Sequence, residues 1–288
     1  MSVLMLMRQR MKAVETIQKI THAMRLISMS SHTRLRNKKT ALTQYAQELS
    51  TLFAQVYAHA PSWHHPILLP KPQSEEPTPP RSLIILVGSQ KGLCGTFNQS
   101  LFAFFERSQS KAPQDHSDLI VIGKRAGDYA RELHRYTIVK EFNNFTHTTF
   151  TDIAAQVTWH IMHSEPFYTS VTVYSNWSKS FFVQVPESST LIPLALPQAA
   201  SLEHDAHEGF EWEQTPERLL SALAQSLLLA NLQDILLTSL TAEQAARFVA
   251  MDNSTRNARN LLDDMTLDYN KRRQAKITRE LTDLIGSL

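Results

Sequence analysis

The chain has 288 residues, 42% of them hydrophobic and 19% charged, with a net charge of +2. That is the balance of a soluble globular protein, with room for two domains or for one domain and an extension. The single cysteine, Cys94, excludes an internal disulfide and fits a reducing compartment, and no run reads as a transmembrane span.

Met1 to Ala60 contains neither glycine nor proline and predicts a helix of about 90 Å at ~1.5 Å per residue. The opening Val3-Leu4-Met5-Leu6-Met7 is too short for a span or a signal-peptide core, and it runs straight into a charged helical pattern. A 4-3 spacing of Ala13, Ile17, Ile20, Met24, Ile27 and Ser31 predicts a coiled-coil seam. Between Arg8 and Lys39 there are nine Lys or Arg and one acid, Glu15. Pro61 to Pro80 holds seven of the thirteen prolines and reads as a stiff linker or surface loop. Its His64-His65 pair has no obvious Cys or carboxylate partner, so it reads as loop and not as a metal site.

Ser82 to Val87 is a continuous apolar run, the mark of a strand buried on both faces. The loop Gly88 to Gly95 leads into an amphipathic helix near Phe97–Arg107. A second buried strand, Asp118 to Gly123, precedes a helix around Arg125–His134. Tyr136 to Phe142 reads as a strand and Asp152 to Met162 as a helix. Ser170 to Ser175 and Phe181 to Val185 read as strands close enough to pair as a hairpin. Alternating strands and helices predict an open α/β sheet of Rossmann-like topology. Thr190 to Thr215 is irregular and mixed in charge.

Thr215 reads as the cap of a helix starting at Pro216. Glu217 to Ile285 again lacks glycine and proline. It reads as one very long helix, or two nearly in line, of about 100 Å at ~1.5 Å per residue. Its first half is leucine-rich from Leu219 to Leu240, wide enough to be covered by the central domain. Thr241-Ala242-Glu243-Gln244 resembles a fresh capping signal and marks a joint. Beyond it the apolar stripe thins through Ala245, Phe248, Ala258, Leu261, Met265 and Tyr269, and a basic run follows at Lys271, Arg272, Arg273, Lys276 and Arg279. No single core is wide enough for either terminal helix. The expected architecture is α/β: a long antiparallel coiled coil of the N- and C-terminal helices plus a central Rossmann-like domain. The expected boundaries are an N-terminal helix at 1–60, a linker at 61–80, the α/β domain at 81–215 and a C-terminal helix at 216–288. The second half of that last helix pairs with the first.

Gly88 to Gly95 is the place for a phosphate cradle, between a strand and a helix. Its spacing matches neither GxGxxG nor GxxxxGK[ST], and it reads as a tight turn. Cys94 has no local base and reads as a packed residue. The acids and histidines form no HExxH, paired-carboxylate or triad pattern. The basic helices fit nucleic acid by phosphate contact, a solvated face, or a basic shaft docked against an acidic collar. Charge alone does not choose between them.

Longer motifs narrow the choice. Thr16-Ile17-Gln18-Lys19-Ile20-Thr21-His22-Ala23-Met24 resembles the N-terminal signature of the γ subunit of F-type ATP synthases. Gly92-Leu93-Cys94-Gly95 is similar to that family's central loop, and Ser175-Asn176 with Gln184-Val185-Pro186 to its strand pair. The run from Glu243 to Ala258, with Tyr269 to Leu281, resembles its C-terminal signature. The resemblance covers nearly the whole chain in order. It implies a noncatalytic rotor with no cofactor and no metal, whose coiled coil enters an α3β3 hexamer. Its foot would meet the membrane c ring and the ε subunit. Partners would be the α and β subunits, ε and the c ring, without nucleic acid and with membrane reached only through partners. The location would be the cytoplasmic face of a bacterial plasma membrane.

The resemblance places shaft–β contacts at Met24, Arg247, Arg273, Gln274 and Thr278. It places foot contacts at Glu211, Trp212 and Glu213. Gln90-Lys91 stands where Asp-Arg is usual, His22 replaces a usual basic residue, and Arg259-Asn260 stands where a small or acidic residue is common. The alternatives are a nucleotide-binding α/β enzyme and a basic helical nucleic-acid binder.

Overall fold

The computed structural model describes residues 3–60, 63, 65, 67–68, 81–110, 117–133, 135–194 and 214–285. Its elements in chain order are α1 (Val3–His59), β1 (Ser82–Val87), α2 (Phe97–Gln109), β2 (Ser117–Ile122), α3 (Lys124–Leu133) and β3 (Thr137–Phe142). They continue with α4 (Phe150–Met162), β4 (Ser170–Ser180), β5 (Val183–Ile192) and α5 (Pro216–Ile285). Each strand and helix expected from the sequence is present, and the β4–β5 hairpin is longer than its apolar runs suggest. The expected joint near Thr241 does not form. The Thr241 hydroxyl donates to the Leu237 carbonyl at 2.7 Å, the back-bond of a mid-helix threonine and not a cap, and α5 runs through it unbroken.

Packing divides the chain into two units, one of residues 31–246 and one of residues 1–30 with 247–288. The division therefore falls inside both long helices, not at the linker and loop where the sequence changes composition.

In the larger unit the sheet order is β3-β2-β1-β4-β5. Strands β1 to β4 are parallel and β5 pairs antiparallel with β4. The apolar runs of β1 and β2 fill both faces. Leu83, Ile85, Val87, Ile120 and Ile122 face a core built by α4 with Leu35, Phe53 and Val56 of α1 and Leu220, Leu228, Leu232 and Leu236 of α5. Ile84, Leu86, Leu119 and Val121 face α2 and α3 through Leu101, Phe105, Ala126 and Ala130. By length and composition α5 does pass for a membrane-crossing helix, contrary to the sequence expectation. Its leucines are instead spent on this core, with Leu220, Leu228, Leu232 and Leu236 fully buried.

Most of the expected 61–80 linker, including His64, lies outside the described residues. Where it is described it is not a surface loop. Trp63, Ile67 and Leu68 are buried, and the Leu194 amide donates to the Ile67 carbonyl at 2.7 Å. At the starts of the parallel strands Arg81 and Asp118 form an ion pair at 2.6 Å. The Tyr168 hydroxyl donates to Asp118 at 2.9 Å, and the Arg81 guanidinium lies 4.7 Å from the Tyr168 ring centre. Burial, then the bond to Asp118, raises the Tyr168 pKa.

The smaller unit is a helix pair. Thr255 donates to Thr21 at 2.9 Å, Arg25 pairs with Asp252 at 2.6 Å and Arg8 donates to Tyr269 at 2.6 Å. Residue numbers fall on one helix as they rise on the other, so the pair is antiparallel. The seam is not the expected one. Ile17, Ile20 and Ile27 are 52%, 54% and 65% exposed, whereas Thr21 and Ser28 are buried and Leu4, Met7, Met11, Val14 and Gln18 are half-buried. On α5 the inward set is Met251, Thr255, Ala258, Leu262 and Met265. The α1 helix carries two stripes of coiled-coil spacing. The stripe that faces α5 is apolar at its start, with Leu4, Met7, Met11 and Val14, and polar farther on, with Gln18, Thr21 and Ser28, and the isoleucine stripe is left outside.

Candidate functional site

Two places carry the residues that the motifs single out: the mouth of the sheet and the helix pair. At the mouth, the ends of β1, β2 and β3 are bonded to one another. Gly88 donates its amide to Ile122 at 2.9 Å and Gly123 to Phe142 at 2.8 Å. Gly123 has φ +93°, and a Cβ there would stand 2.3 Å from the Gly88 carbonyl oxygen, so only glycine lets these two loops cross. Gln90 supplies the third tie. Its Oε1 accepts from the amides of Phe145 at 3.1 Å and Lys124 at 3.4 Å, and its Nε2 donates to the Asn143 carbonyl.

Within the loop, Asn98 accepts from the Ser89 amide at 3.0 Å and donates to the Ser89 hydroxyl at 2.8 Å. Arg125 donates its amide to the Ser89 carbonyl at 3.1 Å. The amides of Ser89, Lys124 and Arg125 thus serve the crossing loops themselves. Cys94 is buried with Phe97 against Ala242 and Ala246 of α5, the packing role its sequence context suggests. Gln90 was noticed in the sequence as a departure from a motif; its bridging of two neighbouring loops has no local signal.

In the helix pair, Met24 is half-buried at the flank of the seam and Arg247 is buried at 6% exposure. Arg273, Gln274 and Thr278 are exposed. These five are not one cluster: the 26 residues from Arg247 to Arg273 correspond to about 40 Å of helix at ~1.5 Å per residue. Val3, five residues upstream of Arg8, falls level with Gln274, so the last turns of α5 extend past the start of α1. Glu211, Trp212 and Glu213 lie outside the described residues. Sequence reasoning missed Arg25 and Asp252, which tie the two helices 227 positions apart. An Arg on one helix and an Asp on another show no pairing until the register is known. Asp252 also takes Arg256 at 3.1 Å.

The outer surface of this pair is unusually apolar for two helices with water around them. Leu6, Ile17, Ile20, Leu26 and Ile27 of α1 and Leu261, Leu267, Ile277, Leu281 and Ile285 of α5 are all exposed. Exposed apolar side chains, where they form a contiguous patch, mark interaction sites. No group of three or more His, Cys, Asp or Glu among the described residues is placed to hold a metal ion.

The class of protein follows from comparison with known families. A family model described as ATP synthase matches residues 4–288. The chain is 30% identical to the ATP synthase gamma chain of Caulobacter sp. (strain K31), over 97% of this chain and 96% of that one. It is 29% identical to the ATP synthase gamma chain of Chlorobium phaeobacteroides, over 97% and 95%. In fold it is similar to a chain of the Euglena gracilis mitochondrial ATP synthase rotor, with a TM-score of 0.61 at 14% identity, covering 95% of this chain and 98% of that one. The chain belongs to the ATP synthase family, among its gamma chains, the central-stalk subunits of that enzyme.

Proposed function

We propose that the chain is the noncatalytic rotor shaft of a bacterial ATP synthase. It couples rotation of a membrane c ring to ATP synthesis or hydrolysis at the β sites of an α3β3 collar. The observation that carries this reading is the helix pair that closes its own seam and turns its isoleucines outward. A surface of that kind suits a helix pair turning inside a sleeve, where apolar contacts are broad and no single contact locks. The ordered, self-satisfied loop at the mouth of the sheet supports a structural role for the α/β unit over a nucleotide site.

On this reading Met24, Arg247, Arg273, Gln274 and Thr278 meet the β subunits at successive heights of the shaft. Glu211, Trp212 and Glu213 belong to the foot that meets ε and the c ring. The chain works on the cytoplasmic face of the plasma membrane as part of the F1 sector, reaches the membrane through its partners, and needs no cofactor of its own. The test is reconstitution with cognate α and β subunits, followed by ATP hydrolysis. A stoichiometric complex with strongly raised turnover is the expected result. Failure to assemble, or turnover equal to that of α and β alone, overturns the reading.

A further inference from the structure

The helix pair carries a groove alongside its seam. Gln18, Lys19, His22 and Arg25 line it from α1, and Thr255, Arg256 and Arg259 from α5, around a volume of about 390 Å³. Small-molecule sites span about 300–1,000 Å³. The lining holds four Lys or Arg and no acid. Lys19 is matched by Glu15 at 2.7 Å, and Arg25 and Arg256 share Asp252 at 2.6 and 3.1 Å. Four cations therefore meet two carboxylates, and Arg259 has no ion pair among the described residues.

Two further details concern donors in its lining. The buried Nε of Arg25 has no hydrogen-bond partner, a desolvated donor without compensation. Arg25 donates through Nη2 to His22 Nδ1 at 3.3 Å, and with that tautomer the imidazole keeps its other N–H, on Nε2, free to donate. Planar guanidinium forks beside an ammonium are the donor set that recognises phosphate oxygens.

We propose that this groove binds a di- or triphosphate anion, which neutralises the charge excess of its lining and accepts from the guanidinium of Arg259 and the imidazole of His22. Arg259, at a position where the sequence departs from its family's motif, is the residue the site depends on and the fold does not.

The test is calorimetric titration of the full chain with pyrophosphate, inorganic triphosphate and ATP, at fixed ionic strength held with chloride. One site is expected for each probe. Arg259→Gln should weaken it by about tenfold or more, and Arg218→Gln, an exposed arginine at the other end of α5, should leave it unchanged. Tighter binding of ATP than of triphosphate assigns the site to the nucleotide, and equal binding assigns it to the phosphate chain; both support the site. No heat beyond chloride dilution overturns the proposal. So does equal affinity in parent and Arg259→Gln, or equal weakening by Arg218→Gln. The titration needs no partner subunit, so its outcome is independent of the reconstitution.

Discussion

At the scale of single residues, Gly123 is the position with least freedom to change. Its φ of +93° and the Gly88 carbonyl facing it leave no place for a side chain. Gly123→Ala should cost ~2–3 kcal/mol, the range of a strained backbone position, read as a lower denaturant midpoint at unchanged slope. Three histidines set a pH dependence of one sign. Burial, with Arg36 nearby, lowers the pKa of His32 below its ordinary 6.5. Burial alone lowers that of His65, and burial with Lys140 and Arg81 lowers that of His160 against the pull of Asp118. Each is held neutral in the fold, while the unfolded chain protonates near pH 6.5. The unfolded state therefore binds more protons below that pH. The stability is fully present above about 6.5 and is lost as pH falls through it. Thermal unfolding between pH 7.5 and 5.5 should show a falling midpoint, and His32→Gln, which keeps a polar group against Phe181, should flatten part of the slope.

At the scale of elements, the two stripes of α1 separate what holds the pair together from what it presents. Met251 is 3% exposed in the seam, and Met251→Ala should cost about 2 kcal/mol, the low end for a buried methionine. Hydrogen exchange along residues 247–270 would report it. Ile20→Ser should change that exchange by less than about 0.5 kcal/mol, yet weaken stimulation of ATP hydrolysis in the reconstituted complex. The two helices, their pairing and the open α/β sheet were legible because 3.5-residue spacing and doubly buried runs are strong signals. Which stripe formed the seam was not legible. Periodicity finds apolar lines but does not say whether the chain or a partner covers them, and here the chain covers one line and leaves the isoleucine line outside. The joint expected near Thr241 failed for a related reason. A capping sequence competes with burial, and Thr241, Ala242 and Glu243 are all buried, so the helix has no water to end in. The dispersal of the motif residues along some 40 Å of helix (~1.5 Å per residue) emerges only from the structure.

At the scale of the whole molecule, α5 belongs to both packing units without a break, and its end is covered by no other element among the described residues. Residues 271–283 are exposed throughout, and the last turns run past the first residue of α1. An isolated helix of that length is marginal in water, and its one ion pair among the described residues, Lys276–Glu280 at 3.4 Å, adds only about 0.3–0.5 kcal/mol. Amides there should exchange nearly as fast as in a free peptide in the chain alone, and should become protected in the α3β3 complex. Equal exchange in both states would argue against a covered tip. The consequence is thermodynamic. Assembly completes part of the fold, so the heat capacity of association should be more negative than rigid docking of the same surface would give. Part of the intrinsic affinity is spent ordering the tip, which leaves the complex held less tightly than its contact area alone would imply.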